Sequence, residues 1–159
     1  MSAKVRAWRL AGALCGAVVA LDQGAKAIVT AALVPGERVE VIPGLELTDV
    51  HNKGVAFGIA GGGGTGVVVL TLVALGLILV FFARNPDRPG LWVPVGLLAG
   101  GAFGNLADRV RIDSVTDFVD LPVWPAFNLA DVAIVVGVAG LALIYLGEGS
   151  EAGGASRGG

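Results

Sequence analysis

The residues of this sequence best equipped for chemistry are its aspartates. Asp131 lies in a long apolar run with no basic residue within a helical turn, and 13 residues separate it from Asp117. Two carboxylates held close together cannot both ionise cheaply, so they share a proton and titrate as one unit. The ionised member can deprotonate a water while the protonated member polarises a carbonyl, which is how an aspartic protease works. Spacing alone leaves the pairing open, because any two of the several acids could meet. Asp22 and Lys26 are spaced i, i+4 on one helix face. They read as a self-neutralising pair; alternatively, Asp22 is the ion or proton site of a small four-helix transporter, a function that prefers charges near the midplane. Ser114 with Lys26 or Lys53 would make a serine–lysine peptidase, but no motif surrounds Ser114.

Plainer readings stand beside these. Asn128 opens an apolar run and suits a helix N-cap; Asn52-Lys-Gly54 suits a turn. Asp113 and Asp120 read as solvated loop charges, and His51 as an ordinary residue without a partner. One Cys, Cys15, and one His exclude an internal disulfide, a Cys-ligated cluster and a His-rich metal site. No metal and no cofactor is expected.

The elements that must carry these groups are set by composition. Of 159 residues, 55% are hydrophobic and 15% charged, with a mean hydropathy of +0.80. A soluble domain carries roughly 25% charged residues, so this chain belongs in a bilayer. The net charge of −2 gives no basic face for nucleic acid. Four apolar stretches, about 10–33, 67–83, 91–107 and 127–146, predict an all-α integral membrane protein with four transmembrane helices in a single domain, 1–146. A cleavable signal peptide ending near Ala20 fits poorly, because the apolar run resumes after Lys26. Lys4, Arg6 and Arg9 before the first span, with Arg84 and Arg88 between the second and third, put both termini in the cytoplasm.

Between the first two spans, Arg38–Ile42 and Leu45–Thr48 alternate polar and apolar residues around Pro43-Gly44. They predict two short strands and a turn within an outer β-rich segment, about 37–60. Gly61–Gly64 reads as a flexible connector, Asp108–Pro125 as a second outer loop, and 147–159 as a disordered tail. At 1.5 Å per residue, Asp22 lies about 18 Å up its span, Asn105 about 21 Å and Asp131 about 24 Å, all toward the outer surface. Three helices therefore place polar groups in one layer, and such groups in a membrane mark function by default.

Four segments, in order, resemble the lipoprotein signal peptidase (signal peptidase II) family. They are Asp22-Gln-Gly-Ala-Lys26, Asn52-Lys-Gly-Val-Ala-Phe57, Gly101-Ala-Phe-Gly-Asn-Leu-Ala-Asp-Arg109 with Val115-Thr-Asp-Phe118, and Pro125-Ala-Phe-Asn-Leu-Ala-Asp131. The resemblance implies a bacterial membrane aspartic endopeptidase that cuts prolipoproteins on the N-terminal side of a diacylglyceryl-modified Cys. It implies a catalytic pair, Asp117 and Asp131, and substrate-holding roles for Asn52, Asn105, Arg109 and Asn128. Asp22, Lys26 and Asp108 would give structural support. It also implies an active site facing outward from the cell (inner) membrane, with lipid-modified precursor and membrane lipid as partners of a monomer. The chain departs from the family's common pattern at Val55, at Val132 and in the short stretch 118–130.

Overall fold

A computed structural model describes residues 2–54 and 65–155. The elements run α1 (Ala3–Ala32), β1 (Arg38–Ile42), β2 (Leu45–Asn52), α2 (Thr65–Arg84), α3 (Trp92–Ile112), β3 (Val115–Leu121), β4 (Trp124–Phe127) and α4 (Leu129–Ala155). The expected connector Gly61–Gly64 and the Val55–Phe57 end of the second motif lie outside the described residues.

Among the described residues, three helices are long and apolar enough to cross a membrane: α1, α2 and the Leu129–Gly147 part of α4. The first helix starts earlier than the apolar run, since Ser2 accepts the Val5 N–H and makes Lys4–Arg9 helical. It ends at Ala32, just ahead of Pro35, which disfavours a helical conformation in the residue before it. The fourth helix carries on past 146 to Ala155.

At the centre stands α3, packed against α1 on one side and α4 on the other, with α2 alongside. Small residues permit this close approach, as in membrane helix pairs generally. A Cβ on Gly100 would sit 2.6 Å from the Val18 side chain of α1, and one on Gly101 would overlap the Ala130 carbonyl oxygen of α4. At the far end from the polar layer, Ala11, Phe82, Leu91 and Val95 form an apolar cluster, with Trp8 against Phe82 at 4.7 Å.

The strands form one antiparallel sheet in the order β1-β2-β3-β4. The first hairpin turns at Pro43-Gly44 as expected, with Gly44 at φ +83°. The sheet is not confined to the link between α1 and α2, however. Half of it comes from the Asp108–Pro125 segment, which the sequence suggested was only a loop. In this second hairpin, Pro122 sits in the turn and Pro125 in the edge strand, where a missing N–H is tolerated.

Register gives the sheet two faces. Val39, Leu47, Val119 and Phe127 pair in a row across all four strands. Asp117 shares their face, two residues before Val119 and opposite Val50. Glu40, Glu46 and Asp120 pair on the other face, where Arg38 holds Asp120 at 2.7 Å and Glu46 at 3.5 Å. Asp120 is therefore ion-paired and half-buried rather than a free loop charge. His51 also has a partner after all, Asp49, with Nε2 3.3 Å from Oδ1.

Candidate active site

The site forms where the end of α3, the start of α4 and the Asp117 face of β3 converge beside α1. Asp113 ends α3 in the left-handed conformation, φ 56°, which lets the chain reverse directly into β3. Three residues into that strand, Asp117 is 2% exposed. Its Oδ1 accepts the Asn128 side-chain amide at 2.7 Å and its Oδ2 accepts the Asn52 amide at 3.0 Å. Burial pushes the Asp117 carboxyl up to about 6 and the negative charge of Asp131 adds to the rise; the Asn52 and Asn128 amides and the Lys26 charge oppose it.

Asp131 is fixed by the helix it opens. Its backbone N–H donates to Asn128 Oδ1 at 3.0 Å, while its own Oδ2 accepts the Asn128 backbone N–H at 3.3 Å. This is a reciprocal capping box with an acid at the third helical position. Its other oxygen, Oδ1, accepts the Asn105 amide at 2.8 Å. Asn128 is thus both the N-cap of α4 and the residue that touches both aspartates. Its amide nitrogen also lies 3.1 Å from Asn105 Oδ1 and 3.3 Å from the Thr116 carbonyl.

Beneath the pair lies a buried ionic support. Lys26 Nζ is 2.8 Å from Asp22 Oδ2, 2.8 Å from Asp108 Oδ2 and 3.0 Å from Asn105 Oδ1. Lys26 is 2% exposed and both acids are fully buried, so each charge depends on the others. Arg111 adds a second cation at Asp108 Oδ1, 3.1 Å away, so two cations face two anions. Asp22 Oδ1 accepts the Ala130 N–H at 3.0 Å, a second anionic partner for the first-turn N–H groups of α4, which have no partner within the helix. Both oxygens of Asp22 are thus engaged.

The sequence missed Gln23. Its amide donates to Asp22 Oδ2, the Gly104 carbonyl and Asp108 Oδ1 at 3.0–3.2 Å, and its carbonyl accepts from Arg111 at 3.1 Å. An amide between an acid and a lysine inside an apolar span was the available signal. Arg109 is half-buried, donates to the Asn105 carbonyl at 3.3 Å and lies within electrostatic reach of Asp131, Asp117 and Asp108. The Ser114 hydroxyl turns to the Ile112 carbonyl at 3.2 Å, while both acids hold Lys26, so a Ser114–Lys26 pair is not formed.

Of the nine residues singled out from sequence, Asp117, Asp131, Asn52, Asn105 and Asn128 meet through direct hydrogen bonds. Asp22, Lys26 and Asp108 support them from below through Asn105, and Arg109 stands at the side.

The family described as Signal peptidase (SPase) II matches residues 14–146. The lipoprotein signal peptidase of Pelotomaculum thermopropionicum is 41% identical over 136 residues, covering 84% of this chain and 90% of the relative. That of Moorella thermoacetica is 46% identical over 123 residues, covering 76% and 82%. A bacterial membrane enzyme solved by the in meso method at 2.3 Å superposes with a TM-score of 0.80 at 32% identity, over 89% of this chain and 90% of that one. A second such enzyme, solved at 1.9 Å, gives 0.71 at 29% identity, over 86% and 92%. With matches spanning nearly all of both helical and strand elements, the chain belongs to the signal peptidase II family.

Proposed function

We propose that this protein is an aspartic endopeptidase that removes signal peptides from diacylglyceryl-modified prolipoproteins, cutting on the N-terminal side of the lipidated Cys. The observation that carries the chemistry is Asn128, which bonds Asp117 and Asp131 together. Family membership and the names of the relatives support the substrate.

The two environments assign the roles. Asp131 lies at the N-terminus of α4, where the Asn105 amide and the Asn128 backbone N–H donate to its carboxyl oxygens, and it is assigned the role of base. Asp117 is buried on the sheet face it shares with Asn52, and its desolvation favours the protonated form. Asp131 takes a proton from water as the oxygen attacks the scissile carbonyl, and Asp117 gives its proton to the carbonyl oxygen. When the tetrahedral intermediate collapses, the C–N bond breaks, Asp131 passes its proton to the departing Cys nitrogen and Asp117 recovers its own. In this reading Asn105 and Asn128 orient the carboxylates and complete the contacts to the substrate backbone. Asn52 and Arg109 hold that backbone on either side of the cut.

The topology that suits this chemistry has α3 as a fourth crossing helix, shielded from lipid by its neighbours, in the bacterial cell membrane. Both termini are cytoplasmic and the sheet and carboxylates lie on the outer side, following the Lys and Arg distribution. A lipidated Cys then presents its amide near the outer leaflet while its acyl chains stay in lipid. Incubation of the purified protein with a lipidated and an unlipidated form of one precursor tests this. Cleavage of the lipidated form alone, with the new N-terminus at the modified Cys, is expected. Equal cleavage of both, or none of either, contradicts it.

A further inference from the structure

The sheet ends in two hairpin tips that lie side by side. Ile42 pairs with Leu45, Glu46 with Asp120 and Leu121 with Trp124, so the β1–β2 and β3–β4 turns close the same end of the sheet. That end lies about 13 Å along β3 from Asp117. Val41 and Ile42 on one tip are 54% and 57% exposed, and Val123 and Trp124 on the other are 94% and 65% exposed. Pro43, Gly44 and Pro122 answer the demands of turn geometry; the four large apolar side chains answer none, and together they form a patch that water disfavours. No charged residue occurs in 41–45 or 121–124. The charges stand one residue behind the tips, where Glu40, Glu46 and Asp120 are opposed by Arg38, which pairs with the last two.

We propose that the two tips dip together into the interfacial zone of the bilayer that the protein's own helices cross. The sheet begins five residues after α1 ends and runs into α4 through Asn128 alone, so it stands at the level of the ends of two helices able to span. Membrane interfaces collect tryptophan, whose amphipathic ring sits at the depth of the headgroups, and Trp124 is placed at a tip. Four side chains are too few for a stable protein partner or a second copy, which needs roughly 20–30 residues a side. Charge sets the depth. Three acids against one arginine draw nothing from an anionic surface, and the cost of burying carboxylates stops entry about 3 Å behind the tips, one residue along each strand. The contact fixes the sheet, and Asp117 with it, against the bilayer surface, whatever reaction the carboxylates perform.

Trp124 reports its own surroundings. With Trp8→Phe and Trp92→Phe it is the only tryptophan of the chain, and its fluorescence is measured on the full chain in phosphatidylcholine nanodiscs. Bromines near the top of the acyl chains should quench about half of the emission or more, and bromines near the methyl ends much less, as a ring at headgroup depth requires. Dissolved iodide should quench weakly. Adding Val41→Asp/Val123→Asp should withdraw the tips, abolish quenching by lipid and raise quenching by iodide about threefold or more. Should the two Phe replacements not fold, the difference between the parent and Trp124→Phe gives the same signal. Strong iodide quenching without any effect of lipid bromines would put the tips in water, and protection from both quenchers would put them against protein. Either result overturns the proposal, as does quenching by lipid that survives both aspartates.

Discussion

The side-chain amide of Asn128 donates to Oδ1 of Asp117 at 2.7 Å from a position fixed by helix capping. One residue therefore sets where α4 begins and where the strand carboxylate rests. Asp131, three residues on, completes the cap, so the distance between the aspartates is tied to secondary structure on both sides.

Asn128→Ala should lose both functions together. Removal of an N-cap costs about 1 kcal/mol, visible as a lower melting temperature in detergent, and turnover should fall by orders of magnitude. Asn128→Asp separates the two effects. It keeps a capping oxygen but places a third carboxylate against Asp117, so it should be inactive with less loss of stability. A mutant with normal turnover after Asn128→Ala would show that the bridge is dispensable.

Asp117 should also leave a mark on stability against pH. Its folded carboxyl titrates at about 6, above its usual value of 3.8, so the native state holds a proton that the unfolded chain has lost between those values. For a raised acid, stability is highest below the unfolded value, falls as pH rises through that window and levels off above about 6. The parent should lose more melting temperature than Asp117→Asn between pH 4 and pH 7. In the parent, kcat/KM should decline above about pH 6 as the free enzyme loses this proton. A parallel pair of stability curves would contradict the assigned shift.

Lys26 is buried, 2% exposed, so breaking its network should be severe. Lys26→Met leaves Asp22 and Asp108 buried without their shared cation, and loss of one partner of a buried pair costs about 3–5 kcal/mol. Low yield or a strongly reduced melting temperature is expected. Asp22→Asn should be milder, because the amide still has an oxygen for the Ala130 N–H. If Asp22→Asn instead kept full stability with no turnover, Asp22 would belong to the chemistry.

Packing controls the same geometry from a distance. Gly101→Ala puts a methyl group into the Ala130 backbone, which cannot move aside as a flexible side chain can. It should push α3 from α4, stretch the Asn105–Asp131 bond and lower kcat while the protein still inserts in membranes. Gly16→Ala, on α1 with open space around its Cβ, is the matched control and should be neutral.

Much of this was legible from residue order because each signal acts locally. The Asp22–Lys26 spacing gave a pair, the polar residue before an apolar run gave a cap, and Pro43-Gly44 between alternating segments gave a hairpin. The second hairpin escaped notice because Asp117 interrupts the apolar alternation of Val115, Val119 and Leu121, and Pro125 sits where a strand is not expected. The aspartate obscured the element that carries it. Gln23 and Arg111 were missed for another reason: their partners, Gly104 and Asp108, are contributed by another helix or only acquire meaning in its packing.

The central claim is that Asp117 and Asp131 form one catalytic unit. Its most direct measurement follows a lipidated precursor by mass with purified Asp117→Asn, Asp131→Asn and the double variant, all checked for folding. Each single variant should show no turnover, and the double should be no worse than either, since members of one unit are not additive. Substantial cleavage by either folded single variant would contradict the account.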